Sequence, residues 1–324
     1  MRGRALVTGG AGYIGSSLVP KLLDRGMSVR VLDSLAVGDG RSVLTAWGRD
    51  GFEFVPGDVR DHAARAIALE GVDTVVHLAA IVGDPACARD PDAARAVNLD
   101  GTRALLAEAK ERGVGRFVFA STCSNYGRLV DGDAIATEEW ELRPVSLYAE
   151  TKVAAELDVL ASLSPGFAPT CLRFATVYGV SPRMRFDLTV NEFARDALVN
   201  EELVVYGEQF WRPYVHVRDA AGAIAHALSS PVDHVSGEVF NVGDTGQNFR
   251  KQDLVDFLVE RLPETTVEFV ARSEDPRDYR VSFEKIASKL GFRVSKSVSD
   301  GMDEVLALLR SGAIADPFDA MYRN

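Results

Sequence analysis

The segment Leu6-Val7-Thr8-Gly9-Gly10-Ala11-Gly12-Tyr13-Ile14-Gly15 carries a short apolar strand through glycines directly into a helix. Such a turn aims unpaired N–H groups and the positive end of a helix dipole at an anion. Gly9 and Gly12 are placed to supply positive φ angles and a close backbone approach, and Gly15 to let the helix pack tightly on its strand. That arrangement suits the pyrophosphate of a dinucleotide, in a loop one residue longer than the G-x-G-x-x-G fingerprint. The glycines alone also suit a bare strand-turn-helix, so the next strand decides. Residues 29–33 read as an apolar strand ending in Asp33, 18 residues after Gly15, close to the spacing of the acid that accepts hydrogen bonds from an adenosine ribose. Asp33 is followed by Ser34 and not by an arginine, and its carboxylate repels a 2′-phosphate. The expected cofactor is NAD.

Apolar strands are expected at 5–8, 28–33, 52–56, 74–79, 117–121 and 170–174, with helical stretches such as 93–112 between several of them. Strands alternating with helices imply an α/β fold built on a doubly wound parallel sheet. Past about Val177 the rhythm changes to shorter strands, loops rich in Arg, Pro and Asp, and helices near 187–199, 253–261 and 301–310. We therefore expect a dinucleotide-binding unit over residues 1–177 and a smaller C-terminal α/β substrate lobe over 178–324, with some later segments returning to the first unit. With 324 residues, 47% of them hydrophobic, the chain can bury a core of that size. A net charge of −11 speaks against nucleic acid as a partner. No apolar run approaches the ~20 residues that span a bilayer, and the first strand follows Met1 too closely for a signal peptide, so a cytoplasmic protein without membrane contact is expected. Cys87, Cys123 and Cys171 lack the spacing of a disulfide framework or a zinc site, and no metal is expected.

Chemistry concentrates at Tyr148 and Lys152. Four residues apart on a helix, their side chains share one face, which sets an ammonium beside a phenol. Nearby positive charge stabilises a phenolate and lowers a pKa that is ordinarily near ~10. Tyr148 could then take or return a hydroxyl proton while hydride moves to or from a cofactor. In isolation the same pair suits a solvated helix face. Residues 117–127 form an apolar strand ending in Ser121, Thr122, Cys123 and Ser124, at the carboxyl edge where open α/β sheets bind ligands. A hydroxyl there can donate to a reacting carbonyl, and it equally suits turn chemistry.

In order along the chain, the glycine loop, Gly57-Asp58-Val59-Arg60-Asp61, His77-Leu78-Ala79-Ala80, Asn98-Leu99-Asp100-Gly101-Thr102, the Tyr148 and Lys152 pair, Arg212 to Asp219, and Asn241-Val242-Gly243 resemble the extended short-chain dehydrogenase/reductase family. Within it they resemble the NAD-dependent nucleotide-sugar epimerase/dehydratase group. The resemblance implies a Rossmann fold, with cofactor contacts from Gly9, Gly12, Tyr13, Ile14, Gly15, Asp33, Leu78, Ala79, Ala80 and Asn98, and adenine contacts from Asp58 and Val59. It implies Tyr148 as the base, Lys152 on the nicotinamide ribose, and Thr122 as the catalytic hydroxyl. It also implies a nucleotide-diphosphate sugar held by Arg212 and by Arg272, which Asp275 follows, with Arg277 and Arg280 as rivals. Arg183 and Arg185 are placed to contact the sugar or, more simply, to stand as solvated loop arginines. His77 reads as a packed strand residue. A homodimer through helices 93–112 and 147–163 is implied as well.

Two departures bear on the reaction. Family 4,6-dehydratases place Asp-Glu directly after the catalytic Thr, whereas here Thr122 is followed by Cys123 and Ser124, which argues against dehydration. Many 4-epimerases carry an asparagine where this chain has Thr176. Cys123 reads as a small buried filler, with a reactive thiol as its rival. The expectation is an NAD-dependent, 4-epimerase-like enzyme passing through a transient keto sugar. The alternatives are a ketoreductase or dehydrogenase with exchangeable NAD(P)H and, from another class, a non-catalytic dinucleotide sensor.

Overall fold

The computed structural model describes residues 3–129, 134–271 and 277–324. Twelve strands are defined among them: β1 (Arg4–Thr8), β2 (Ser28–Asp33), β3 (Phe52–Pro56), β4 (Thr74–His77), β5 (Arg116–Thr122), β6 (Ala168–Phe174), β7 (Thr176–Tyr178), β8 (Glu202–Tyr206), β9 (Trp211–His216), β10 (Glu238–Val242), β11 (Asn248–Arg250) and β12 (Thr266–Val270). Seven form one parallel sheet in the order β10-β6-β5-β4-β1-β2-β3. The chain order reverses between β1 and β4, and in such sheets ligands lie outside the carboxyl ends of the strands at that crevice.

Alternation along the strands explains why both faces of the sheet are covered. Ala5 and Val7 of β1 join Leu18, Leu22, Val31, Ile224 and Phe240 on one side. Leu6, between them, joins Leu105, Phe117, Val159 and Cys171 on the other. Burying each large apolar side chain contributes about 1.5–3 kcal/mol. Strand β4 ends at His77, two residues before the expected end. Leu78 N–H still bonds the Thr8 carbonyl, but Ala79 N–H turns to the Thr8 hydroxyl at 3.3 Å, so Ala79 and Ala80 leave the ladder at the crevice. His77 is a packing residue, as expected: its ring nitrogens meet the hydroxyls of Thr8 at 2.7 Å and Thr102 at 2.8 Å, and burial pushes its pKa down to about 3.

The helix expected at 93–112 has a physical interruption. Pro91–Arg95 and Thr102–Glu111 are α-helical, while Ala96–Gly101 widens into a π-turn. Past β6, strands β11-β9-β7 and β12-β8 form two small sheets. They pack with the helices Thr189–Val199, Lys251–Val259 and Val298–Arg310 around Tyr178, Phe186, Phe193, Tyr214, Leu254 and Met302. The last helix starts three residues before the expected position, because Ser297 and Asp300 form a capping box. Strand β10 returns to the main sheet and pairs with β6. Among the described residues no helix is long and apolar enough to cross a membrane, and no His, Cys, Asp and Glu group stands ready to hold a metal.

Candidate active site

The glycine loop closes over the end of β1. Gly9 has φ +70°, and a Cβ there would lie 2.7 Å from the Ala79 nitrogen, while a Cβ on Gly15 would overlap the Gly9 carbonyl. Gly12 departs from expectation: its φ is not positive. Its N–H bonds the Gly9 carbonyl at 3.0 Å and its carbonyl accepts from Ser16, so it is tied into the turn that leads into the helix. Helix Gly15–Asp24 follows, and Ile14 at its N-cap position offers no side-chain cap. The site that a helix start offers an anion is therefore left to a ligand.

Asp33, at the end of β2, accepts from Ala11 N–H with one carboxylate oxygen and from Leu35 N–H with the other, both at 2.9 Å. Burial raises its pKa, against those two hydrogen bonds. Each oxygen retains a lone pair for a ribose hydroxyl. Asp58 takes the Arg60 guanidinium as a fork at 2.9 and 2.7 Å, which lowers its pKa, and Val59 is buried beside Gly101. Asn98 projects from the π-turn and holds the loop after β4, accepting from Ile81 N–H at 2.7 Å and donating to Ile81 carbonyl at 2.9 Å. Its place on the crevice is thus structural as well as local to the cofactor loop. The uncapped helix, the glycine cradle and the Asp33 carboxylate together fit a dinucleotide.

Tyr148 and Lys152 lie on helix Leu147–Ala161, which Ser146 caps through Ala149 N–H. The Tyr148 phenol faces the Thr122 side chain at the end of β5 closely enough for it to oppose the rise in the phenol's pKa, and the Thr122 hydroxyl accepts from Ser124 N–H. The two residues expected to share the proton chemistry are therefore brought to the same end of the sheet. Lys152 differs from expectation. Its ammonium donates to the Ala120 carbonyl at 2.9 Å and lies 4.7 Å from the Phe119 ring centre, and burial lowers its pKa to about 8. The Tyr148 pKa is raised, not lowered: burial dominates, Cys87 and Asp84 add to it, and Arg185 and Thr122 oppose it.

Asp84 and Ser146 escaped the sequence reading, since neither stands in a motif. Ser146 donates to Asp84 at 2.7 Å, and the other Asp84 oxygen pairs with Arg277 at 3.1 Å, which brings Arg277 to the site. Arg212 is buried, donates to the Trp211 carbonyl, and stands 5.6 Å from the Tyr279 ring centre. Arg280 lies over Trp211. Thr176 opens β7 opposite Tyr214 of β9. Arg272 and Asp275 lie outside the described residues. Arg183 and Arg185 are buried instead of solvated, and Arg185 forks onto Asp187 at 2.9 and 2.7 Å. Cys123 is buried, its thiol donates to the Arg173 carbonyl, and burial raises its pKa well above the usual thiol value, in keeping with a filler.

Beneath the site lies a buried polar network. Glu156, one turn after Lys152, accepts from Ser121 and from the Arg173 guanidinium, each at 2.5 Å. Arg173 also donates to the Tyr126 hydroxyl, which donates to Asn241 of β10. The Tyr148 helix is thereby tied to β5, β6 and β10.

Comparison with known proteins agrees with this geometry. The model of the NAD dependent epimerase/dehydratase family matches residues 5–243. A dTDP-glucose 4,6-dehydratase of Actinoplanes sp. is 32% identical over 95% of this chain and 98% of its own. The UDP-glucuronic acid decarboxylase 2 of Arabidopsis thaliana is 30% identical over 97% of this chain and 69% of its own. The UDP-glucose 4-epimerase of Thermus thermophilus, solved in complex with NAD, superposes with a TM-score of 0.81 at 32% identity, covering 96% of this chain and all of the other. With the glycine cradle, Asp33 and the Tyr148 and Lys152 helix in place, the chain belongs to the NAD-dependent epimerase/dehydratase family.

Proposed function

We propose that this protein is an NAD-dependent epimerase of a nucleotide-diphosphate sugar, 4-epimerase-like, working through a transient keto sugar. Residues 1–177 hold the cofactor through Gly9, Gly12, Tyr13, Ile14, Gly15, Asp33, Asp58, Val59, Leu78, Ala79, Ala80, Asn98, Tyr148 and Lys152. The lobe over 178–324 contributes Arg212, Arg272 and Arg277 to the substrate, with Thr176 just before it, since a dianionic diphosphate needs locally placed cations in an acidic protein. When bound, the cofactor supplies a hydride acceptor and, on the return, a hydride donor. Tyr148 removes the hydroxyl proton of the sugar as its carbonyl forms, with the Thr122 hydroxyl donating a hydrogen bond to the same oxygen, and returns the proton when the hydroxyl is rebuilt on the opposite face. Lys152 keeps a positive charge beside that chemistry.

The observation that carries this reading is the pair of residues after Thr122. Loss of water requires an acid to protonate the departing hydroxyl, and here Cys123 is buried with its thiol donating to the Arg173 carbonyl, while the Ser124 hydroxyl meets that of Tyr279 at 3.3 Å. Hydride removal and return at one carbon, with the proton moved on its oxygen by Tyr148, requires no such group. A ketoreductase would use the same trio with an exchangeable cofactor. The test is to denature purified, desalted protein, quantify released nicotinamide, and follow a panel of nucleotide sugars by NMR. Near-stoichiometric NAD and inversion at one sugar carbon without net reduction are expected. Empty protein that consumes added NADH would make it a reductase, and a 4-keto-6-deoxy product would make it a dehydratase. We further place the enzyme in the cytoplasm as a homodimer, with Leu157, 58% exposed on the Tyr148 helix, available to a partner helix; sedimentation equilibrium reads the mass.

A further inference from the structure

Arg183 is 7% exposed, yet no carboxylate among the described residues forms an ion pair with it. One terminal nitrogen of its guanidinium donates to the Arg323 carbonyl at 2.8 Å, and the other is buried without a hydrogen-bond partner. Arg185 nearby has its own carboxylate, because Asp187 takes its fork. Burial, followed by repulsion from Arg185, lowers the Arg183 pKa to about 10. Asp187 and then Asp33 attract it through space, but neither makes a direct ion pair, and a guanidinium held out of water without one is costly to the fold and is retained when something anionic is brought to it.

The surroundings say which anion. The loop carrying Arg183 is stitched onto the start of helix Gly15–Asp24. Tyr13 hydroxyl donates to the Gly179 carbonyl, Ser181 hydroxyl donates to the Tyr13 carbonyl at 2.7 Å and meets the Ser16 and Ser17 hydroxyls, and Arg183 N–H donates to Ser16. On its other side the Arg183 side chain faces the loop after β2: a Cβ on Gly38 would stand 3.9 Å from its Nε, and Asp33 attracts it through space. Arg183 thus joins the helix start, through its backbone N–H to Ser16, to the side of the acid suited to an adenosine ribose, toward which its guanidinium reaches. A dinucleotide places its diphosphate between those same two points. The arginines suited to the substrate, Arg212 and Arg277, gather elsewhere, around Tyr214 and Tyr279.

We propose that Arg183 is a cofactor-binding residue that supplies the counter-charge for the dinucleotide diphosphate from the loop after β7, so that the bound cofactor pins this loop onto the glycine-loop helix. The charge-assisted contact replaces a missing partner and leaves Arg185 with Asp187. This inference rests on NAD dependence and not on the epimerase reading, and its test requires no turnover.

The experiment is calorimetric titration of the purified protein, stripped of nucleotide, with NAD, ADP and adenosine, for the wild type, Arg183→Met and Arg183→Lys. Arg183→Met is expected to weaken NAD and ADP by tenfold or more while leaving adenosine unchanged, and Arg183→Lys to restore part of the loss. The melting temperature of Arg183→Met without nucleotide is expected to match or exceed the wild type, with a smaller rise on adding NAD. Unchanged affinity for NAD and ADP would overturn the proposal. So would an equal loss for adenosine, or a loss confined to UDP or dTDP, which would assign Arg183 to the substrate. If Arg183→Met does not fold, the ADP-to-adenosine ratio in Arg183→Lys decides, and a ratio equal to the wild type counts against the proposal.

Discussion

The Lys152 ammonium donates to the Ala120 carbonyl, 2.9 Å away on β5, the strand that ends two residues later in Thr122. A buried charge is thereby tethered to the strand that presents the catalytic hydroxyl. Burial lowers the Lys152 pKa from its ordinary 10.5 to about 8. Below about 8 the folded and unfolded chains both carry the proton, and the fold bears the full cost of the charge. Between about 8 and 10.5 the folded chain has lost it and the unfolded chain has not, so stability rises with pH and the gain is complete above 10.5. A displacement of that size corresponds to about 3 kcal/mol. Urea unfolding of the wild type and Lys152→Met across this window should show the wild type gaining relative to the variant; parallel curves would mean that Lys152 titrates normally.

Tyr148→Phe removes the phenol hydroxyl and leaves the ring in place. Turnover should fall on the order of 10³-fold while NAD affinity holds, since proton transfer of this kind contributes roughly 10²–10⁴. Single-turnover rates and calorimetry separate the two. A variant keeping a tenth of the activity would remove Tyr148 from the proton step.

Asp33→Ser should relax the preference for NAD over NADP by about tenfold, or ~1.4 kcal/mol, because the repulsion of a 2′-phosphate is lost. The ratio of the two dissociation constants measures it. An unchanged ratio would mean that another residue reads the ribose.

Glu156→Gln leaves Arg173 buried with half its partner. Removing one member of a buried pair costs about 3–5 kcal/mol, so the melting temperature should drop sharply. A drop equal to that of a surface substitution would show that the network is dispensable.

Much of the fold was legible because its signals are local and repetitive. The apolar strands, the glycine turn and the acid at the end of β2 each follow from short-range chemistry, and Tyr148 with Lys152 follows from helical spacing. What escaped was set by contacts distant in sequence. Lys152 has the right spacing to face Tyr148, but its bond to the β5 carbonyl of Ala120, 32 residues away, is not written in that spacing. Gly12 looked like a positive-φ glycine until the helix start absorbed it. Asp84 is joined to the site by Ser146, 62 residues later, and no spacing rule reaches that far. Arg183 and Arg185 have the composition of a wet loop and became buried because Ser181 fastens that loop to Ser16 and Ser17.

The return of β10 to the large sheet has a consequence for engineering by recombination. Strand β10 covers the edge of β6, and its Phe240 and Val242 complete the core that begins with Val7 and Leu18. The small sheet β11-β9-β7 draws β7 and β9 from the segment between β6 and β10 and β11 from beyond it. A single crossover after β6 would therefore set a foreign β10 beside the native β6 and through the core it completes. Exchanging specificity with a relative requires at least two junctions, with the transplanted piece treated as an insertion between β6 and β10 and a matching exchange of the β11 region.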